Sequence, residues 1–94
     1  MRESKIEAYV VAWAKAHAIL AIKFTPMGEA GWPDRIFLYQ GLCVFIEFKA
    51  PGKLERPLQS HRLEQLRSSG FIAEVCDGES KAIELLRKEF RIPQ

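Results

Sequence analysis

The sequence predicts an α/β fold of order αβββαβα, with a mixed central sheet flanked by helices. Three observations lead there. Helical periodicity opens and closes the chain, two runs of branched and aromatic residues meet across Gln40-Gly41, and the last of these runs is followed by a helix and another strand. A strand, helix, strand succession crosses over right-handed and sets its two strands parallel, so the sheet must be mixed. With 94 residues, 48% of them hydrophobic, the chain can build one core but not two. Residues 1–94 are therefore expected to form a single domain.

From Glu3 to about His17, Ile6, Val10 and Trp13 recur at helical spacing while Arg2, Lys5 and Lys15 fall mostly elsewhere, which makes an amphipathic first helix. Ile19–Thr25 is short, rich in branched and aromatic residues and stopped by Pro26, as a strand would be. Met27 to Pro33 is a loop by its glycines and proline. Arg35–Tyr39 and Leu42–Lys49 form a hairpin, with Gly41 free to take a positive φ. The second of these strands, apolar on both faces from Leu42 to Ile46, suits a central position covered on each side. Pro57–Ser69 has a proline suited to a first helical position and Gly70 beyond its end. Phe71–Cys76 is the last strand, and Ala82, Ile83, Leu86 and Phe90 mark a closing helix behind Asp77-Gly78.

Composition narrows function less than it narrows fold. A net charge of +2 and a pI near 8.7 are compatible with a polyanionic partner, but they do not single one out. Cys43 and Cys76 lie inside apolar runs and make no zinc-ligand pattern, so they are expected to be core thiols in a reducing cytosol. The N-terminal segment is charged and amphipathic rather than a signal peptide, and no apolar run reaches membrane-spanning length. A soluble protein with no membrane partner is expected.

The chemistry gathers on the hairpin. Strand alternation sets Glu47 and Lys49 on one face with Cys43 and Phe45. A two- or four-residue loop symmetric about Gln40-Gly41 puts Tyr39 opposite Leu42 and Asp34 opposite Glu47, whereas a bulged three-residue loop carries Asp34 off this face. Opposed residues on one face sit about 4.5–5.5 Å apart at Cβ, close enough for two carboxylates to share a cation. Without one, they repel, and one of them must hold a proton. Hard oxygen donors without cysteine or clustered histidine favour Mg²⁺ or Mn²⁺ over zinc. Such an ion activates water and neutralises phosphate charge, and Lys49 adds a compact positive charge beside it. An isolated Glu-x-Lys is most often a surface ion pair. Here it ends a strand too apolar for exposure, opposite a Pro-Asp at matching register, and phosphodiester hydrolysis accounts for that context.

Gly31-Trp32-Pro33-Asp34, then Glu47-Phe48-Lys49, then Gln59 opening the next helix, resembles the PD-(D/E)xK nuclease superfamily and, within it, the VRR-NUC (virus-type replication-repair nuclease) family. The resemblance spans nearly the whole chain, including Glu7 and the Gly70-Phe71 entry to the last strand. It implies a restriction-endonuclease-like core. It also implies Asp34, Glu47 and the Phe48 carbonyl as metal ligands, Lys49 as the catalytic lysine, Glu7 as a first-helix acid and metal ligand, and Gln59 as a further site residue. Glu7 borders the apolar stripe and can reach the sheet edge, although a solvated carboxylate fits the same position. Gln59, in a first helical turn, suits contact with the site or with a phosphate, or else plain exposure.

Stand-alone members of this length resemble Holliday-junction resolvases, which implies branched DNA as substrate, a homodimer matching the two-fold symmetry of a four-way junction, and a bacterial or phage-infected cell as the setting. The alternatives are a non-catalytic structure-specific DNA-binding module and a restriction-type nuclease that cuts duplex. Lys53, Arg56, His61 and Arg62 follow the site along a loop and helix start and are candidate phosphate contacts, diluted by Glu55 and Glu64. His17 and His61 are isolated and fit packing or exposure better than ligation. Trp13 is expected in the core, while Trp32 and Met27, in the loop before Asp34, suit base stacking, the site wall or a dimer contact.

Overall fold

The computed structural model describes residues 1–94 as α1 (Glu3–Ala16), β1 (Leu20–Lys23), β2 (Arg35–Tyr39), β3 (Leu42–Phe48), α2 (Pro57–Ser68), β4 (Ile72–Cys76) and α3 (Glu79–Phe90), the order read from the sequence. The four strands make one sheet in the order β1-β2-β3-β4, antiparallel from β1 to β3 and parallel between β3 and β4. The parallel pair is the one bridged by α2, as a crossover connection requires.

The hairpin turn is the tight one. Tyr39 pairs with Leu42, and Gln40 and Gly41 between them take φ of 46° and 80°. Two successive positive φ values match the right-handed twist of the strands they join, so no extra residue slips into the ladder. The register then runs evenly from Tyr39 opposite Leu42 to Arg35 opposite Ile46.

Alternation along β3 divides the core. Val44, Ile46 and Phe48 pack with Phe37 and Cys76 against Ile6, Val10 and Ala14 of α1 and Ala82, Leu86 and Phe90 of α3. Phe45 points to the other face, where Leu63 of α2 and Ala73 of β4 cover it. Each fully buried aromatic or branched side chain contributes roughly 1.5–3 kcal/mol by leaving water. The hydrophobic effect thus places β3 at the centre with both faces dry.

Three strands, β1, β3 and β4, are shorter than expected, β4 by Phe71 alone. At the start of β1, the Ile19 N–H is taken by Ala14 O at 2.9 Å, closing the end of α1 rather than joining the sheet. β3 ends at Phe48, although Lys49 N still reaches Cys76 O at 3.0 Å, so the backbone runs on straight for one residue. Both cysteines are free, Cys43 half-buried and Cys76 buried, and burial pushes the Cys76 thiol up to about 12. Cys76 is a packing residue, not a nucleophile. No helix is long and apolar enough to cross a membrane.

Candidate active site

At the end of the sheet where β2 begins and β3 stops, one carboxylate oxygen each from Glu3, Asp34 and Glu47 lies within 4.8 Å of the others. The hairpin register brings two of the three together, because continuing it one step past Arg35 and Ile46 sets Asp34 opposite Glu47. The Asp34 carboxylate turns in toward β3 and accepts a 2.8 Å hydrogen bond from Phe48 N. Glu3 arrives from the first turn of α1.

Pro33 explains the opening beside these acids. The same register sets Pro33 opposite Phe48, where an ordinary residue would donate its N–H to the Phe48 carbonyl. Proline has no N–H. In a strand, the N–H and C=O of one residue point to the same side; the Phe48 N–H goes to Asp34 on the β2 side, so the Phe48 carbonyl faces that side too, where Pro33 offers no donor. Three carboxylates and a free carbonyl are a hard-oxygen donor set that suits Mg²⁺ or Mn²⁺, and no cysteine or histidine belongs to the cluster.

Glu47 is only 2% exposed and Lys49 8%, and Lys49 Nζ lies 3.4 Å from Glu47 Oε2. Burial pushes the Glu47 carboxyl up to about 7, with the neighbouring charge of Asp34 adding to the rise and Lys49 opposing it. Asp34 is also raised, by burial first, against the bond from Phe48 N that favours its ionised form. Two acids that both resist ionisation side by side are what a cation would relieve.

Gln59 touches the site. Its Nε2 donates to Glu47 Oε2 at 2.8 Å, while its Oε1 accepts from Arg56 N at 2.8 Å at the start of α2. One side chain thus caps a helix and fixes a carboxylate. Pro57 at the first helical position makes this possible, since α2 starts sharply just after Arg56.

Glu7 is not one of the clustered acids. Arg35 alternates to the face opposite Phe45, which α1 covers, and there its Nε holds Glu7 Oε2 at 2.6 Å, with Lys23 Nζ 3.6 Å from the same oxygen. Glu3, one helical turn earlier, reaches Asp34 and Glu47 instead. The sequence does carry a signal for this division: a half-buried arginine on the α1 face needs an acidic partner, and Glu7 is placed to be it.

The four candidate phosphate contacts divide as well. Lys53, Arg56 and His61 are exposed. Arg62 is committed to structure: Nε donates to Ala30 O at 3.0 Å, Nη1 donates to Gln65 Oε1 at 3.1 Å, and the guanidinium stacks 4.5 Å from the Trp32 ring centre. Trp32 in turn donates to Glu29 at 2.9 Å and meets Phe24 edge-on, so it pins the loop that presents Asp34. Met27, in the same loop, is 99% exposed. His17 Nδ1 donates to Trp13 O, 2.8 Å away, and the imidazole stacks on the Trp13 ring, which is half-buried against the main core.

A second cleft, at the hairpin end of the sheet, is walled by Leu20, Leu38, Leu42 and Cys43. It has no acid and no cation, which makes it unfit for phosphate chemistry.

No family model matches the chain. A curated relative, "Putative nuclease p44" of Acyrthosiphon pisum secondary endosymbiont phage 1, is 34% identical over 80 residues, spanning 84% of this chain and 86% of the relative. Two solved structures, a VRR_NUC domain and a VRR_NUC domain protein, have TM-scores of 0.82 and 0.75, each at 24% identity. They cover 90% and 100% of this chain and 94% and 92% of their own. At that identity the two structures establish a common fold.

Proposed function

Because the chain belongs to the VRR-NUC nuclease family, we propose that it is a Mg²⁺- or Mn²⁺-dependent, structure-selective endodeoxyribonuclease acting on branched DNA, with four-way junctions as its preferred substrate. The observation that carries the proposal is the meeting of Glu3, Asp34 and Glu47 within 4.8 Å, beside a buried lysine 3.4 Å from Glu47.

Asp34, Glu47, the Phe48 carbonyl and Glu3 are the groups that would hold the ion. A divalent ion supplies Lewis-acid polarisation of the phosphate and water ionised at neutral pH. The chain's own residues do the rest. Phe48 N–H fixes the Asp34 carboxylate and Gln59 fixes that of Glu47, so both acids are oriented before substrate arrives. Lys49 places a positive charge where charge grows on the scissile phosphate, in a setting too dry to screen it.

The homodimer is part of the proposal. A four-way junction needs two cuts related by two-fold symmetry, which a symmetric pair of sites provides. The β1 edge supports it: Leu20 and Ile22 are 62% and 44% exposed on a strand whose outer edge is unpaired, and a second copy of this edge would cover them. Two free cysteines and a phage-borne relative fit the cytoplasm of a bacterial or phage-infected cell.

The test is cleavage of labelled four-way junction, flap and linear duplex by the purified protein with Mn²⁺, Mg²⁺ or EDTA. Metal-dependent cutting of the junction ahead of duplex is expected. Junction binding without cleavage under any divalent ion would favour the non-catalytic module, and equal cutting of linear DNA would favour the restriction-type enzyme.

A further inference from the structure

An open cleft of about 540 Å³ adjoins the acids on the side of α1 and β1, away from the candidate cations of α2. Glu3, Glu7 and Asp34 line it together with two cations, Arg2 and Lys23. We propose that this cleft seats the phosphate next to the scissile one, with Lys23 and Arg2 as its contacts, so that the nucleic-acid strand crosses the site along the start of α1. This rests on the nuclease function proposed above and names which side of the site its substrate occupies.

Charge accounting within the cleft supports Lys23 first. Glu7 is the acid paired with its ammonium, 3.6 Å away, but Glu7 is already held at 2.6 Å by Arg35. Of the three acids that line the cleft, Glu7 is thus outnumbered by its two cations, while Glu3 and Asp34 belong to the cluster whose charge a bound ion would neutralise. Lys23 is more than half exposed, whereas Arg35 is mostly covered, so the surplus charge belongs to the residue that solvent and substrate can reach.

The register explains why this cation is there. Lys23 pairs with Arg35, the residue immediately after Asp34, so the last residue of the edge strand is fixed beside the first acid of the site. Arg2 lies just before α1 without a capping bond from its side chain, one residue from Glu3. Neither cation belongs to the acid cluster, and neither is required by the core.

The experiment is fluorescence anisotropy of labelled junction DNA across a KCl series, in EDTA and again in CaCl₂, for the wild-type protein, Lys23→Gln, Arg2→Gln and the double variant. Each lost phosphate contact flattens the slope of log K against log salt by about 0.9. The expected result is one such step for each single variant and two for the double, with Mn²⁺ affinity by calorimetry unchanged within about threefold. A wild-type slope in both single variants would overturn the proposal. Because the readout is binding, a wild-type protein that fails to cleave would defeat the nuclease function while leaving the phosphate seat measurable on its own.

Discussion

Arg35 Nε holds Glu7 Oε2 at 2.6 Å on the face of the sheet opposite Phe45, and that contact decides which acid of the first helix is free for chemistry. Glu7 and Glu3 are one helical turn apart and share a face. Arg35 takes one of them, and the other meets Asp34 and Glu47. Glu3→Gln should therefore weaken Mn²⁺ binding at least tenfold by calorimetry and leave thermal stability nearly unchanged. Glu7→Gln should keep Mn²⁺ affinity within about threefold but cost about 1–3 kcal/mol in denaturant unfolding, because a half-buried arginine loses its ionised partner. The reverse pattern would return Glu7 to the metal.

Lys49 sits 3.4 Å from a carboxylate that burial already discourages from ionising. On the proposed mechanism, removing its charge takes away transition-state stabilisation and also one competitor for the cation. Lys49→Ala should lower the single-turnover cleavage rate by about 10²–10³ while Mn²⁺ binds as tightly as to the wild type or more tightly. Loss of Mn²⁺ affinity in step with activity would make the lysine structural.

The raised Glu47 carboxyl has a definite consequence for pH. In the unfolded chain it releases its proton near 4.5, in the metal-free folded protein near 7, so between these values the folded state binds more protons. Stability therefore falls as pH climbs from about 4.5 to about 7 and levels off above, by up to about 3 kcal/mol from this group. Asp34, also raised, acts in the same direction. Denaturant unfolding in EDTA should show this decline in the wild type and a weaker one in Glu47→Gln. Added Mn²⁺ needs the ionised acids, so its stabilising effect should grow over the same interval. An equal decline in both proteins would remove Glu47 as the cause.

Gly31 holds the loop that presents Asp34. Its φ is +85°, and a Cβ there would lie 2.6 Å from Leu58 Cγ and 3.2 Å from Leu58 O, so part of the obstacle is the α2 backbone, which has little room to give. Gly31→Ala should cost about 2 kcal/mol in denaturant unfolding and weaken Mn²⁺ binding with it. Wild-type stability would show that the loop packs against α2 less closely than this.

Much of this was legible in the sequence because strands are rulers. Alternation and a tight turn at Gln40-Gly41 suffice to oppose Asp34 and Glu47, and the apolar run of Leu42 to Ile46 fixes β3 in the middle. The part contributed by α1 was not legible. Periodicity identifies the buried stripe of Ile6, Val10 and Ala14 but not how far the helix slides along the sheet, and a shift of one turn exchanges Glu3 for Glu7. Arg62 shows a second limit. Its charge suggested a phosphate contact, but Ala30 and Trp32, distant in sequence, claim the guanidinium in the fold.

Crystals soaked in Mn²⁺ and measured at the manganese absorption edge give the most direct test. A strong anomalous peak bounded by the carboxylates of Asp34 and Glu47 and the carbonyl of Phe48 is expected. A well-diffracting crystal with saturating Mn²⁺ and no peak between those groups would contradict the proposed metal site.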